Sequence, residues 1–547
     1  MAVLKKITCA LSALLIMLSA TLLCGCDVRD NNPVPEPTAA IETPQAVVDD
    51  NDEEKIVENA TLKTSVGQYD TLNPITSANL DVSKIFSLVC EPLFELDDMM
   101  DPVPLLAADF IGDVSYKVWE VTLKDGLKFH DGAALTADDV KATYDLAVKS
   151  TAKYRDNVDN IAVCYKKDAK TVQFILKKAD KSFISKLTVP IVSKSSQSKD
   201  FPVGTGIFKV AKNSTKDKIV LEFNENYHNL KQKPHITKIE INKCADEYAK
   251  YTSDFDAGFI YGRSTAGIIF DGNMDSENVA GTRFVYAALN CSSTYAVENI
   301  VTDPQTGLVK EKKYVNFPNG LNDPILRKAV NMAISRETCA NTAVAGKATT
   351  ALLPGYSGIT GRCRKVNDYT YDPDGAVMLL RSSGYTRGDD NYLCKDGVKI
   401  SLSILADKGD VAMKSTAYLI RDALDKIGIY SELSFCDAHE FNNRIAMKQF
   451  SIAVMQLDLG NAAAMKDIFT SSAGGNYSFY SNPKVDALFE SLNMLSGAET
   501  VSVYDEIEQV LLEDNPIVGM FVADDTILSK KNVHVGKTIY EWYVTED

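Results

Sequence analysis

The groups of this chain that could do chemistry are five histidines, 11 cysteines and 74 acidic residues. The histidines are His130, His228, His235, His439 and His534. No two stand three or four residues apart, so none shares a helix face with another as a metal pair requires. His130 lies between Phe129 and Asp131 at a predicted strand end, where packing or a surface role fits better than catalysis. Gly204-Thr205-Gly206 is a glycine pair too common to mean phosphate binding by itself. No G-x-x-x-x-G-K-[ST], G-x-S-x-G or H-E-x-x-H occurs. Carboxylates are numerous enough to pair by chance in a fold, and that is all that speaks for an enzyme. The expectation is a chain that is not an enzyme and takes no cofactor and no metal.

One cysteine is placed for a different chemistry. Lys5 and Lys6 precede an apolar run from Ile7 to Leu23, and Leu23-Cys24-Gly25-Cys26 follows. A positive start, an apolar core and a small residue before the cut form a secretory signal. Leucine three positions before Cys26, with Gly25 directly before it, looks like a bacterial lipobox. Cys26 is therefore the candidate lipidation site; Cys24 would put Leu23 at the cut and fits less well. The alternative is an uncleaved membrane anchor, but the run is at the short end for a span. The body would then lie outside the cytoplasm, tied to the cell membrane by lipid. The mature chain keeps Cys90, Cys164, Cys244, Cys291, Cys339, Cys363, Cys394 and Cys436. None of these forms a C-x-x-C pair. Cys363 and Cys394, in loop-like sequence, are a candidate disulfide, the rest scattered thiols.

Formal net charge is −16, and losing Met1–Gly25 removes two lysines and no acid. Phosphate binding needs a cationic surface, so nucleic acid is excluded as a partner. Residues 27–58 carry Pro33, Pro35, Pro37 and Pro44 and an acidic run from Asp49 to Glu54. They hold too little apolar surface to offset ordering entropy, and the segment reads as a flexible linker.

The elements of the body mix strands and helices. Trp119, Val121 and Leu123 alternate on one strand face, as do Ile219, Leu221 and Phe223, and Val398, Ile400, Leu402 and Ile404. Asp372-Pro373 predicts a helix start, with Ala376, Leu379 and Leu380 inward and Gly384 as its stop. Ile420, Ala423, Leu424 and Ile427 form a second stripe ended by Gly428, and Asn482-Pro483 opens a third helix. Thr136, followed by Asp138 and Asp139, opens a fourth. The fold class is α/β.

Residues 119–140 read W-E-V-T-L-K-D-G-L-K-F-H-D-G-A-A-L-T-A-D-D-V. This closely resembles the signature of the peptide- and nickel-type extracellular solute-binding proteins of bacterial ABC importers. Asp70–Pro74, Glu91–Phe94, Pro202–Gly206, Asn224–Tyr227, Asn322–Arg336, Tyr371–Tyr385 and Tyr480–Asp486 resemble further blocks of that family, in its order. The resemblance spans roughly 60–535. It implies a two-lobed periplasmic-binding-protein-like fold with a hinge and an extra subdomain on the first lobe. The implied division is 1–25 signal, 26–58 lipidated linker, 59–85 with 200–285 and 520–547 as lobe I, 86–199 as the extra subdomain, and 286–519 as lobe II. The chain would be a monomer that captures a solute between the lobes and delivers it to the permease.

By the same resemblance an extended peptide would lie against Thr76, Ser77, Ala78 and Asn79 of lobe I and Met455, Gln456, Leu457 and Asp458 of lobe II. Gly204, Thr205 and Gly206 would lie near the cleft floor. Peptide binders of the family usually carry tryptophan near position 457 and then an aspartate for the ligand's ammonium group. Here Leu457 replaces the tryptophan, Asp458 comes slightly early, and the later Asp-Pro gives way to Ala462 and Ala463. A peptide is the first expectation; a sensor of the same fold for a non-peptide solute is the alternative.

Overall fold

Two apolar cores organise the chain, and the capping and alternation of the sequence explain the elements around each. In the computed structural model residues 55–546 are described, apart from 78, 98–100, 151–153, 246–254, 261–273, 303–305, 307–308, 319, 355–370, 460–463, 496 and 537. The expected signal, Cys26 and most of the linker lie outside the described residues, as do Ala78, Ala462, Ala463 and Cys363. The described cysteines, Cys394 included, are free thiols. The end of the segment read as linker is bonded into the fold: Val57 N–H donates to Val544 O (2.7 Å), and Lys55 pairs with Glu546 (2.8 Å).

The first core holds the signature segment. Val118–Leu123 is a strand with Trp119, Val121 and Leu123 buried, inside an antiparallel sheet ordered Ala107–Gly112, Val118–Leu123, Thr171–Leu176, Ile161–Lys166. The two Asp-Gly turns follow, with Gly126 and Gly132 at φ of +75° and +86°, a region only glycine enters without strain. The helix Ala137–Lys149 then starts at Thr136, whose N–H and hydroxyl both donate to Asp139 Oδ2 (3.1 and 2.9 Å). A second sheet, ordered Ala60–Val66, Ile236–Lys243, Lys218–Phe223, Phe208–Val210, shares the same core. Leu62, Trp119, Phe174, Phe208, Val533 and Ile539 all belong to it. One core therefore runs through segments 59–85, 86–199 and 200–257 alike.

The second core runs from Phe284 to Ala523. Its center is a sheet ordered Ala257–Ile260, Ile517–Lys530, Met274–Leu289, Ile452–Asp458, Ser401–Asp407, Tyr430–Cys436, with Ala348–Thr350 added on Ile517–Lys530. Ser401–Asp407 and Tyr430–Cys436 are parallel and joined by the helix Val411–Lys426, whose Ile420, Ala423 and Leu424 are buried as their spacing predicts. Asp372 caps the helix Pro373–Ser382 through Gly375 N–H (2.8 Å). The stretch 398–404 departs from the expected single strand: Val398 is 65% exposed in a short hairpin, and only Ser401–Asp407 enters the sheet. The preceding turn at Asp396-Gly397, both at positive φ, redirects the chain.

The long antiparallel strands Met274–Leu289 and Ile517–Lys530 link the two cores. At one end Phe284–Leu289 and Ile517–Ala523 lie in the second core. At the other, Thr526–Ser529 pairs with Ala257–Ile260, and Lys530 binds Asp256 (2.9 Å), whose carboxylate also accepts from Lys63 N–H (2.7 Å). Between these ends the register shifts from Val279↔Asp525 to Arg283↔Ala523. Three residues oppose one there, a bulge that bends the ribbon.

Candidate functional site

The strand Ile452–Asp458 has one covered edge and one that opens. Its pairing with Met274–Leu289 sets Leu457 against Phe284, Gln456 against Val285 and Met455 against Tyr286. Leu459 N–H donates to Thr282 O (2.8 Å). Backbone groups alternate sides along a strand, so those of Met455 and Leu457 face Met274–Leu289 and those of Gln456 face away. On that far side Ser401–Asp407 pairs only with Ile452 and Ala453. Among the described residues no strand covers the edge at Gln456. Met455 is buried, Gln456 exposed, and Leu457 half-buried against the second core. Asp458 stands opposite Arg283, which forms a part-buried ion pair with Asp410, the cap of the helix Val411–Lys426.

The loop Thr76–Asn79 is on the side of the first core and is tightly self-bonded. Thr76 and Ser77 N–H groups both donate to Asn73 O (3.1 and 2.9 Å). The buried Ser77 hydroxyl donates to Asp70 (2.9 Å) and accepts from Asn79 N–H (3.2 Å). Asn79 caps the helix Leu80–Phe86 through Val82 N–H (3.1 Å) and donates to Gln68 O (2.9 Å). The N–H groups of Thr76, Ser77 and Asn79 are thus used within the loop, and the Asn79 carbonyl accepts from Ser83 N–H (3.1 Å).

Gly204, Thr205 and Gly206 pack inside the first core. A Cβ on Gly204 would stand 2.0 Å from Val89 O, and one on Gly206 2.3 Å from Leu88 O, so only glycine fits. Thr205 donates its hydroxyl to Glu91 (2.7 Å), and the same buried carboxylate accepts from Tyr227 (2.5 Å) and meets His228 Nε2 (2.8 Å). Burial, and then the Glu91 charge, raises the Tyr227 phenol above its ordinary range and does the same to Glu95. His130 completes the arrangement: its N–H donates to Gly204 O (3.0 Å) and its Nε2 meets Gly206 O (2.9 Å). Burial holds its imidazole below the usual histidine value, partly offset by the Gly206 bond and Glu91. Sequence reading isolated Thr205 but missed Glu91 as the group that gathers it with Tyr227 and His228. Glu91 opened a block of the family resemblance, and the further signal for its role is a carboxylate set in the apolar run Leu88–Phe94.

The two cores also meet away from the long strands. Lys181 N–H, from the loop after Thr171–Leu176, donates to Asn493 O (2.6 Å), at the end of the helix Pro483–Leu492. Lys178 pairs with Glu490 (2.7 Å) and Lys181 with Glu499 (3.0 Å). Elsewhere, a cavity of about 520 Å³ opens in the second core beside Lys448, Tyr477 and Phe479, and one of about 210 Å³ in the first beside His130 and Phe201. Among the described residues no cluster of three histidine, cysteine or acidic side chains could hold a metal ion.

Comparison with known proteins gives this geometry its context. A family model described as "Bacterial extracellular solute-binding proteins, family 5 Middle" matches residues 101–479. The oligopeptide-binding protein AppA of Bacillus subtilis is 25% identical over 501 residues, 86% of this chain and 87% of that protein. AppA solved with a nonapeptide superposes at a TM-score of 0.67 and 21% identity, covering 90% of this chain and 100% of that one. The ABC transporter substrate-binding protein CtaP of Listeria monocytogenes gives 0.71 at 21%, covering 89% and 100%. NikZ of Campylobacter jejuni, solved with Ni(L-His), gives 0.67 at 20%, covering 88% and 99%. The fold is thus the two-lobed α/β architecture of such binding proteins.

Proposed function

This chain belongs to the bacterial extracellular solute-binding proteins of family 5, and from that premise we propose that it holds an extended peptide between its lobes and hands it to an ABC permease. It is a binding protein, not an enzyme. The observation that carries the peptide reading is the edge at Gln456. A backbone N–H and C=O presented on an uncovered strand edge pair with main chain of any sequence, giving affinity without side-chain selection. Leu457 and Met455 then shape the wall beside the ligand, and the Thr76–Asn79 loop lies against it from the other lobe. Gly204–Gly206 acts one layer behind, holding lobe I in shape.

The anchor belongs to the same proposal. Cys26 takes lipid, the proline-rich acidic segment behind it spaces the body from the membrane, and the protein works as a monomer outside the cytoplasm. The lobes follow the division given above, with the boundary of the linker moved to about 54. Cys26→Ala should release the protein into the medium with its body folded.

A second reading is a non-peptide solute. Leu457, packed on the core where a tryptophan was expected, and Asp458, set opposite Arg283, both weaken a site for a free ammonium group. Native mass spectrometry of the purified chain, followed by calorimetry against di- to nonapeptides, separates the two. A co-purified peptide, or micromolar binding across unrelated sequences, supports the first reading. A non-peptide mass in the cleft, with no heat from any peptide, overturns it.

A further inference from the structure

We propose that the lysine loop 177–181 and the C-terminal end of the helix Pro483–Leu492 form a clasp that holds the two lobes closed, a regulation of the ligand cleft that rests on the binding reading above. The parts lie on different cores. Phe183 and Leu176 anchor the lysine loop in the first, and Val485 and Phe489 anchor the helix in the second. The long strands Met274–Leu289 and Ile517–Lys530 carry the hinge, so contacts between these other parts exist only when the lobes approach.

The loop is pre-formed on its own lobe. Asp180, fully buried, accepts from Ser182 N–H (3.0 Å), the Ser182 hydroxyl (2.8 Å) and Lys186 (2.8 Å), while its own N–H donates to Tyr116 O (3.0 Å). That scaffold presents Lys178 and Lys181 outward. The receiving surface is the negative end of a helix dipole, with Glu490 in its last turn and Glu499 beyond it. The backbone bond from Lys181 to Asn493 fixes the register, and the two ion pairs flank it.

A third cation ties the clasp to the ligand side. Lys466, on the short helix Ala464–Phe469 that follows the strand Ile452–Asp458, donates to Asn493 Oδ1 (3.4 Å). The strand Ile452–Asp458, which carries the Gln456 edge, precedes this helix in the chain. The clasp favours the closed state by a fixed amount, to which a ligand adds its own preference for that state.

The pairs are at least half exposed on one side, Lys178–Glu490 at 68% and 51% and Lys181–Glu499 at 28% and 58%. Each therefore shifts the open–closed ratio by up to about fivefold. Small-angle scattering of the ligand-free chain tests this without any ligand. Lys178→Glu with Lys181→Glu removes both pairs and should raise the open–closed ratio by up to about 25-fold over wild type and enlarge the radius of gyration. Adding Glu490→Lys and Glu499→Lys should restore the wild-type curve, and high salt should open the wild type. If the reversed variant scatters like the wild type in low salt, or the four-residue swap stays open, the clasp is wrong. Either result stands whether or not peptides bind, because no peptide enters the measurement.

Discussion

Removing the Glu91 carboxylate should unfold the first lobe early while leaving the second intact. Glu91 is 4% exposed and serves Thr205, Tyr227 and His228 at 2.5–2.8 Å. In Glu91→Ala the Thr205 hydroxyl, 1% exposed, has no water to turn to, whereas His228, at 16%, regains some. Deleting one member of a buried charged network costs about 3–5 kcal/mol, and the partial rehydration puts this case toward the lower end. The molecule supplies its own assay. Its two tryptophans, Trp119 and Trp542, both pack on the first core, so tryptophan emission reports that core alone. With a urea slope of about 2–3 kcal/mol per molar, the midpoint should fall by about 1–2 M. Glu91→Gln keeps one acceptor oxygen and should fall between. Lys216→Met, which breaks an ion pair exposed at 63% and 62%, should move the midpoint hardly at all. A Glu91→Ala midpoint indistinguishable from that control would refute the reasoning.

Gly204→Ala places a Cβ 2.0 Å from Val89 O, and backbone must move; a loss of about 1–3 kcal/mol by the same emission assay is expected. Gly281→Ala, at the bulge of the long strands, meets Ala523 O at 2.1 Å, and should change the scattering-derived radius even where the tryptophan transition is unchanged. His130 has a folded pKa below the ordinary histidine value of 6.5, so the native state binds fewer protons than the unfolded one just below that pH. Its contribution is complete above pH 6.5 and is lost as pH falls through that value toward the folded pKa; His130→Gln should flatten this part of the urea-midpoint profile. Glu240, gripped by Lys218 and Lys238, should titrate near a pKa of about 2 by carboxyl NMR, and Lys238→Met should move it upward.

What the sequence made legible was local. The segment 119–140 carries its strand, two Asp-Gly turns and capped helix in residue types that act within a few positions, and the structure forms each. The caps Asp372 and Asn482 were readable for the same reason. The stretch 398–404 misled because alternation has no means of marking the turn at Asp396-Gly397 that removes Val398 from the sheet. The gathering role of Glu91 was invisible because its partners are 114, 136 and 137 residues away. The linker's end was invisible likewise, since nothing in 55–58 announces the C-terminal tail that binds it.

That tail has a consequence for how the chain is made. The first core, built around residues near the N-terminus, is completed by Val533 and Ile539, and Lys55 closes on Glu546 across 491 positions. Contacts that distant cannot form until the chain has been made past residue 546. The second core, drawn from one stretch between Phe284 and Ala523, waits in turn for its central strand segment Ile517–Ala523. The lobe that begins first is therefore completed last, and its leading segments stay without part of their core until Val533 and Ile539 have emerged.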